Sequence, residues 1–303
     1  MKKLAVWLLT VMIFLVSCGT SGSKQGAMVI TVSIPPFTYF VEAVADSDFV
    51  VNVMLPPGAD HHSWEPLPRQ ITSLAGSEAF IINGRLGFEL AWMDRFREIN
   101  PAMKIIDLSR GIDLIEPVEG AGHSGLGHDD EGADPHYWLS PKEAYKMADM
   151  VRDLVTELNP SAAERYTLNY NKLIDAISYV DSTVTVLLAE APSKTFMIFH
   201  PALAYMARDY GLEQISFEDE GKSPSPARMK ELVDLTRERG IKIIFIQAEY
   251  DLRSAQVIAE ETGVTLVSID PMNSEWGKAV VDIAKALSME HGARSKEKLR
   301  IKN

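Results

Sequence analysis

From residue 28 onward, short runs of β-branched and aromatic residues alternate with longer segments in which apolar side chains return every three or four positions. The first spacing suits buried strands and the second suits amphipathic helices, so the alternation predicts parallel sheets with crossover helices. Strands are expected at 29–34, 49–54, 79–83 and 104–107, with helices around 71–74 and 90–96 and a closing helix over 141–158. The same grammar restarts with strands at 195–199, 213–216, 242–247 and 265–269 and helices at 226–239 and 252–262. Between the halves, Asn159 reads as an N-cap and Pro160 as the first helical residue. Leu173, Ile174, Ile177, Val180, Val184, Leu187 and Leu188 then recur at helical spacing, so one amphipathic helix is expected up to about Pro192. At ~1.5 Å per residue it spans ~45 Å, too long and too apolar for a flexible linker. The expected class is α/β, with two similar lobes, each a parallel four-stranded sheet with flanking helices, joined by one long rigid helix. The lobes are placed at residues 28–158 and 192–293, the linking helix at 159–191 and a charged tail at 294–303.

The first residues follow a different rule. Lys2 and Lys3 precede an apolar run from Leu4 to Val16, shorter than the ~20 residues of a membrane-spanning helix. The run ends in Leu15-Val16-Ser17-Cys18, which resembles a lipoprotein cleavage site. Residues 1–18 are therefore expected to be an export signal with Cys18 as the lipidated residue, and the small polar residues 19–27 a flexible tether. Cys18 is the single cysteine of the chain, which excludes an internal disulfide and leaves stability to core burial. The expected location is the bacterial cell envelope, facing the periplasm or the cell exterior. A net charge of −12 argues against a nucleic-acid surface and towards a cationic or neutral ligand.

In open α/β sheets, ligands bind where loops leave the carboxyl ends of strands. Four metal-binding side chains fall there: His62 after the second strand, His136 at the far end of the loop after the fourth, His200 directly after the strand at 195–199, and Asp270 after the last. A lone loop histidine is more often a solvated surface residue, and an aspartate before Pro271 can simply open a turn. Joint placement changes the balance, since the chain holds only seven histidines and three of them occupy strand exits. Three imidazoles and a carboxylate suit tetrahedral Zn²⁺, while Mn²⁺ prefers more oxygen donors. Neutral imidazoles are required, so affinity is expected to fall as pH drops through ~6.5.

The segments "PPGADHHSWEPLPRQ", "DPHYWLSP", "FHPALAYMARDYGL", "GKSPSPARM", "IIFIQAEY" and "SIDP" resemble, in this order, the zinc and manganese solute-binding lipoproteins of bacterial ABC importers, the ZnuA-like group. The resemblance implies a monomer that carries Zn²⁺ as transported ligand, with Mn²⁺ or Fe²⁺ as the alternative ion, to a membrane permease and its ATPase. It places His62 on the first ligand position and His61 where the family has proline, which makes His61 an exposed bystander. His136, His200 and Asp270 match the remaining ligands. Histidine at position 200, where manganese binders of the family carry Glu, favours zinc. Zinc-binding relatives carry a longer loop, rich in histidine and acid, ahead of the second ligand. Here only His123 and His128 remain, as an auxiliary metal site or a solvated loop.

Other polar residues read more plainly. Glu65, Glu218, Asp219 and Glu249 are expected to be mostly solvated, and His291 belongs to the charged tail. Phe37, Tyr39, Trp64, Tyr137 and Trp138 either shield the metal or fill the core. Ser223 to Pro226 forms a turn and a helix start. Two other function classes fit parts of the pattern: a zinc hydrolase and a metal-stabilised adhesin. The hydrolase is disfavoured because Asp270 closes the metal's shell and because H-E-x-x-H, G-x-S-x-G, P-loop and G-x-G-x-x-G motifs are absent from the sequence. No catalytic residue is assigned.

Overall fold

The computed structural model describes residues 28–61, 63–116, 132–218, 224–250 and 252–289. Cys18, His62, His123, His128, Asp219 and His291 lie outside the described residues.

Two parallel sheets form. In the first, β1 (Met28–Val32), β2 (Phe49–Val53), β3 (Ala79–Ile82) and β4 (Lys104–Asp107) lie in the order β2-β1-β3-β4. In the second, β5 (Thr195–Ile198), β6 (Glu213–Ser216), β7 (Ile243–Gln247) and β8 (Thr265–Ile269) repeat it as β6-β5-β7-β8. Every pairing is parallel, as crossover helices require. The first half carries helices α1 (Pro36–Ala45), α2 (Pro68–Ala75), α3 (Gly87–Ile99) and α4 (Pro141–Leu158). The second carries α6 (Ala204–Tyr210), α7 (Pro226–Glu238), α8 (Arg253–Thr262) and α9 (Trp276–Ser288). Ser140 and Ser225 cap α4 and α7 by accepting from Lys142 N and Arg228 N, each ahead of a proline in the first turn.

The linking helix α5 (Ala163–Ala189) has 27 residues, about 40 Å at 1.5 Å per residue. It starts later than the sequence suggests, because residues 160–162 form a separate 3-10 turn. Asn159 does not act as a side-chain cap. Its amide donates instead to Tyr166 Oη at 3.1 Å and Asp48 Oδ2 at 3.3 Å, tying the start of the helix to the first half.

Leu173, Ile177, Val180, Val184 and Leu188 of α5 are buried and belong to one apolar core that continues from Ile30 and Phe80 of the first sheet to Phe196 and Phe245 of the second. Among the described residues, Met197, Leu232, Ile244 and Ile258 of the second half form a separate cluster. The two halves are therefore fused by packing along their backs. Hydrogen bonds reinforce this at the 3-10 turn His136–Leu139. Trp138 Nε1 donates to Pro271 O at 2.9 Å, and Trp276 Nε1 donates to Trp138 O at 2.7 Å. Both indoles are buried. Farther out, Arg208 pairs with Glu143 at 2.8 Å and Ser140 Oγ donates to Asp209.

Replacing Trp276 by Phe keeps an aromatic ring but leaves the Trp138 carbonyl without this donor in a buried place. The variant is expected to lose about 1–3 kcal/mol of stability, measured by urea unfolding. An unchanged midpoint would show that the indole bracket contributes nothing to holding the halves together.

Candidate metal centre

The carboxyl ends of both sheets face a common cleft, and three histidines meet there. His61 leaves the loop after β2, His136 opens the 3-10 turn ahead of α4, and His200 stands two residues beyond β5. Their exposures are 3%, 0% and 3%. His61 Nε2 lies 3.0 Å from His136 Nε2, which lies 3.3 Å from His200 Nε2. Among the described residues these three form a group whose ligand atoms all fall within 4.8 Å of one another. Two nitrogens on a tetrahedral zinc with bonds of ~2.0–2.1 Å stand about 3.3–3.4 Å apart, so the spacing is that of a shared ion.

The opposite ring nitrogens fix the tautomers. His136 Nδ1 lies 2.9 Å from Asp134 Oδ1, which also accepts the His136 backbone N–H at 2.8 Å. His200 Nδ1 lies 2.9 Å from Glu218 Oε1. A carboxylate only accepts, so in both pairs Nδ1 is the donor and Nε2 turns a lone pair to the common point. Burial lowers the His200 pKa to about 4, against the raising effect of the Asp134 and Asp60 charges, which keeps its ring neutral and ready to ligate.

The exposed-bystander expectation for His61 is corrected here. Its ring is buried, edge-on to His136, His200 and Trp138 at centroid distances of 5.1, 5.6 and 6.3 Å. Proline's ring nitrogen is tied up in the peptide bond and cannot ligate, so a family position that normally holds proline says nothing about what an imidazole placed there will do. Glu218 is corrected as well: its side chain is 5% exposed rather than solvated, because it is the acceptor for His200. Glu65 is exposed as expected. Glu249 is half-buried, and burial raises its pKa, with the charges of Asp270 and Asp60 adding to the effect.

Asp270 stands at the cleft but outside the compact histidine group. It is exposed, and its Oδ1 accepts from Met272 N at 3.0 Å. The aromatics divide. Trp138 lies 5.1 Å from the His136 ring and walls the site, and Phe37 packs edge-on against Trp138 at 6.5 Å. Trp64 turns away to pack on Phe88.

Sheet register supplies a signal for the partner of His200. Ile198 of β5 pairs with Ser216 of β6, so His200 and Glu218, each two residues farther on, leave the sheet side by side. Asp134 is announced more simply, two residues ahead of His136 in the same turn.

Comparisons with known proteins agree with this architecture. Residues 30–286 match the family described as zinc-uptake complex component A, periplasmic. The zinc-binding lipoprotein AdcA of Streptococcus pneumoniae is 26% identical over 283 residues, 90% of this chain and 56% of that protein. This chain thus spans about half the length of the AdcA relatives. The high-affinity zinc uptake system protein ZnuA of Bacillus subtilis is 25% identical over 289 residues, 89% of this chain and 90% of that protein. A crystal structure of ZnuA superposes with a TM-score of 0.79 at 32% identity, covering 86% of this chain and 98% of its own. With a family match over most of its length and the same two-sheet frame around three converging imidazoles, the chain belongs to the periplasmic component A family of zinc-uptake complexes.

Proposed function

We propose that this protein binds Zn²⁺ outside the cytoplasm and delivers it to an ABC-type importer, a permease with its ATPase. The observation that carries the reading is the set of Nε2 atoms at 3.0 and 3.3 Å, two of them backed by carboxylates. Imidazole-rich, nearly tetrahedral donor sets select zinc over manganese, which favours oxygen and higher coordination. His61, His136 and His200 are the protein ligands. Asp270 supplies the fourth donor, an oxygen, when the β8 exit turns inward, while His62, adjacent to His61, remains the rival for the first position. Residues 28–158 and 192–293 act as the lobes and 159–191 as the link. Cys18 anchors the mature protein to the envelope membrane by its lipid, the protein works as a monomer, and His123 and His128 serve at most as an auxiliary site. A carrier rather than a catalyst fits the family's transport role and a shell made of protein ligands.

Removing a partner of a metal ligand commonly weakens binding 10- to 100-fold, so loss of a direct ligand should exceed ~100-fold. Zinc competition titrations should show that loss for His61→Ala, His136→Ala and His200→Ala, and little change for His62→Ala. The reverse result at positions 61 and 62 would return the first ligand to His62. Exchanging His200 for Glu swaps a nitrogen for an oxygen donor and is expected to narrow the preference for zinc over manganese. An unaltered preference would remove His200 as the residue that selects the ion.

Protonation gives an independent check. The metal-free folded chain takes up no proton at His200 until pH approaches about 4, whereas the unfolded chain does so near 6.5. Between these values the unfolded state holds more protons, so stability rises with pH. The contribution is fully present above about 6.5 and is lost as pH falls towards 4, up to about 3 kcal/mol. In urea unfolding without metal, the wild type should lose more stability than His200→Gln between pH 7 and pH 4.5. Parallel losses would mean that His200 is not held neutral by burial.

A further inference from the structure

The third strand of each sheet ends at a carboxamide. Asn83 directly follows β3, and Gln247 is the last residue of β7. The two strands are equivalent, each lying between the first and fourth strands of its sheet. Both amides are buried. Gln247 Nε2 donates to the His200 carbonyl at 2.9 Å, and Gln247 Oε1 accepts from the His200 N–H at 3.3 Å. Register makes this meeting inevitable: Ile198 pairs with Phe245, so residues 200 and 247 stand level at the sheet end.

Asn83 does the same for His136 from the other lobe. Its Nδ2 donates to the Pro135 carbonyl at 2.9 Å, directly ahead of the histidine, and separately the Asn83 main-chain carbonyl accepts from Tyr137 Oη at 2.8 Å on the other side. Asn83 is fixed in turn by Glu89, a carboxylate wholly buried at the start of α3. Glu89 Oε1 accepts from Asn83 N at 2.7 Å and Oε2 from Gly84 N at 2.6 Å. Gly84 has a φ of +86°, and a Cβ there would come within 2.0 Å of Asp107 Oδ1, so the turn that presents Asn83 is closed to other residues.

None of these bonds reaches a ring nitrogen. The amides act on the main chain, so they set where each ring stands rather than its basicity, which Asp134 and Glu218 govern. A binding constellation tolerates displacements of only about 0.5 Å. Strand tips are rigid enough to keep within that limit, and free loops are not.

We propose that Asn83 and Gln247 are positioning residues, one from each lobe, that hold His136 and His200 at the spacing a tetrahedral ion requires before the ion arrives. The proposal rests on the zinc-binding reading above. It makes discrimination between tetrahedral and six-coordinate ions depend on two side chains that never touch the metal.

Zinc competition titrations and the visible spectrum of the Co²⁺-substituted protein test it. Asn83→Ala and Gln247→Ala should each bind zinc about tenfold more weakly or worse. Their Co²⁺ spectra should lose the intense tetrahedral bands of the wild type. The effect should be specific: Asn83→Ala adds no further loss in a His136→Ala background but keeps its loss in a His200→Ala background, and Gln247→Ala behaves conversely. Equal losses in both backgrounds would reveal a general weakening of the fold and overturn the proposal, as would zinc affinity and Co²⁺ bands unchanged in both variants. If Asn83→Ala fails to fold, Asn83→Leu takes its place, since it keeps the side-chain volume but removes the Nδ2 donor to the Pro135 carbonyl. A folded Asn83→Leu with wild-type affinity and spectrum would then overturn the Asn83 arm. A wild-type protein that binds no zinc would instead bring down the functional reading, and the positioning proposal with it.

Discussion

Two imidazoles that give their Nδ1 protons to carboxylates must point lone pairs outward, and here both lone pairs meet at one buried point. His136 and His200 hold their Nε2 atoms 3.3 Å apart, with Asp134 and Glu218 behind them. Two acceptors at that distance repel unless a proton or a cation stands between them. Burial that lowers His200 to about 4 disfavours the proton. A divalent cation satisfies the lone pairs and also balances the two carboxylate charges beside the rings, so the arrangement is complementary to the bound state rather than to the free one. The placement of the strand exits, the Trp138 ring beside His136 and the amide hydrogen bonds to the main chain next to each ring all bear on this one constraint.

The frame around the site explains why the complementarity survives without the ion. A continuous core runs from the first sheet through α5 to the second, and Trp138 and Trp276 bracket the halves directly behind His136. An interface of this kind resists a wide hinge, since opening it would expose apolar surface at roughly 25 cal/mol per Å². His61 and Asp270 stand on strand-exit loops outside this apolar frame.

Much of this was legible in the chain. Periodicity located all eight strands to within a residue or two, and the restart of the pattern after Pro192 gave the two-sheet plan. His136 and His200 were readable because each stands at a strand exit or a helix entry, where direction is set by backbone geometry. The sequence does not rank His61 against His62. Adjacent residues in a loop project in different directions, no period connects them to the sheet, and a family pattern with proline at one position cannot rank two histidines. The indole bracket was hidden for another reason: Trp138 meets Pro271 and Trp276 across more than 130 residues, and no local signal encodes a contact that only the assembled core creates.

Register is the middle case, information present in the sequence but readable only after strand order is known. Once β5 lies between β6 and β7, His200 is flanked by Glu218 on one side and Gln247 on the other, each level with it at the sheet end. A polar residue at a parallel strand exit is therefore best judged with the exits of its two neighbours. An isolated acid such as Glu218 reads as solvated, yet the same acid beside a buried imidazole has a defined partner and a defined proton. The first sheet follows the same logic through Asn83 at the tip of β3, reaching a histidine that arrives from a distant turn. Parallel sheets gather polar termini at one end by construction, and a metal centre forms where two such ends are packed face to face and neither can move away.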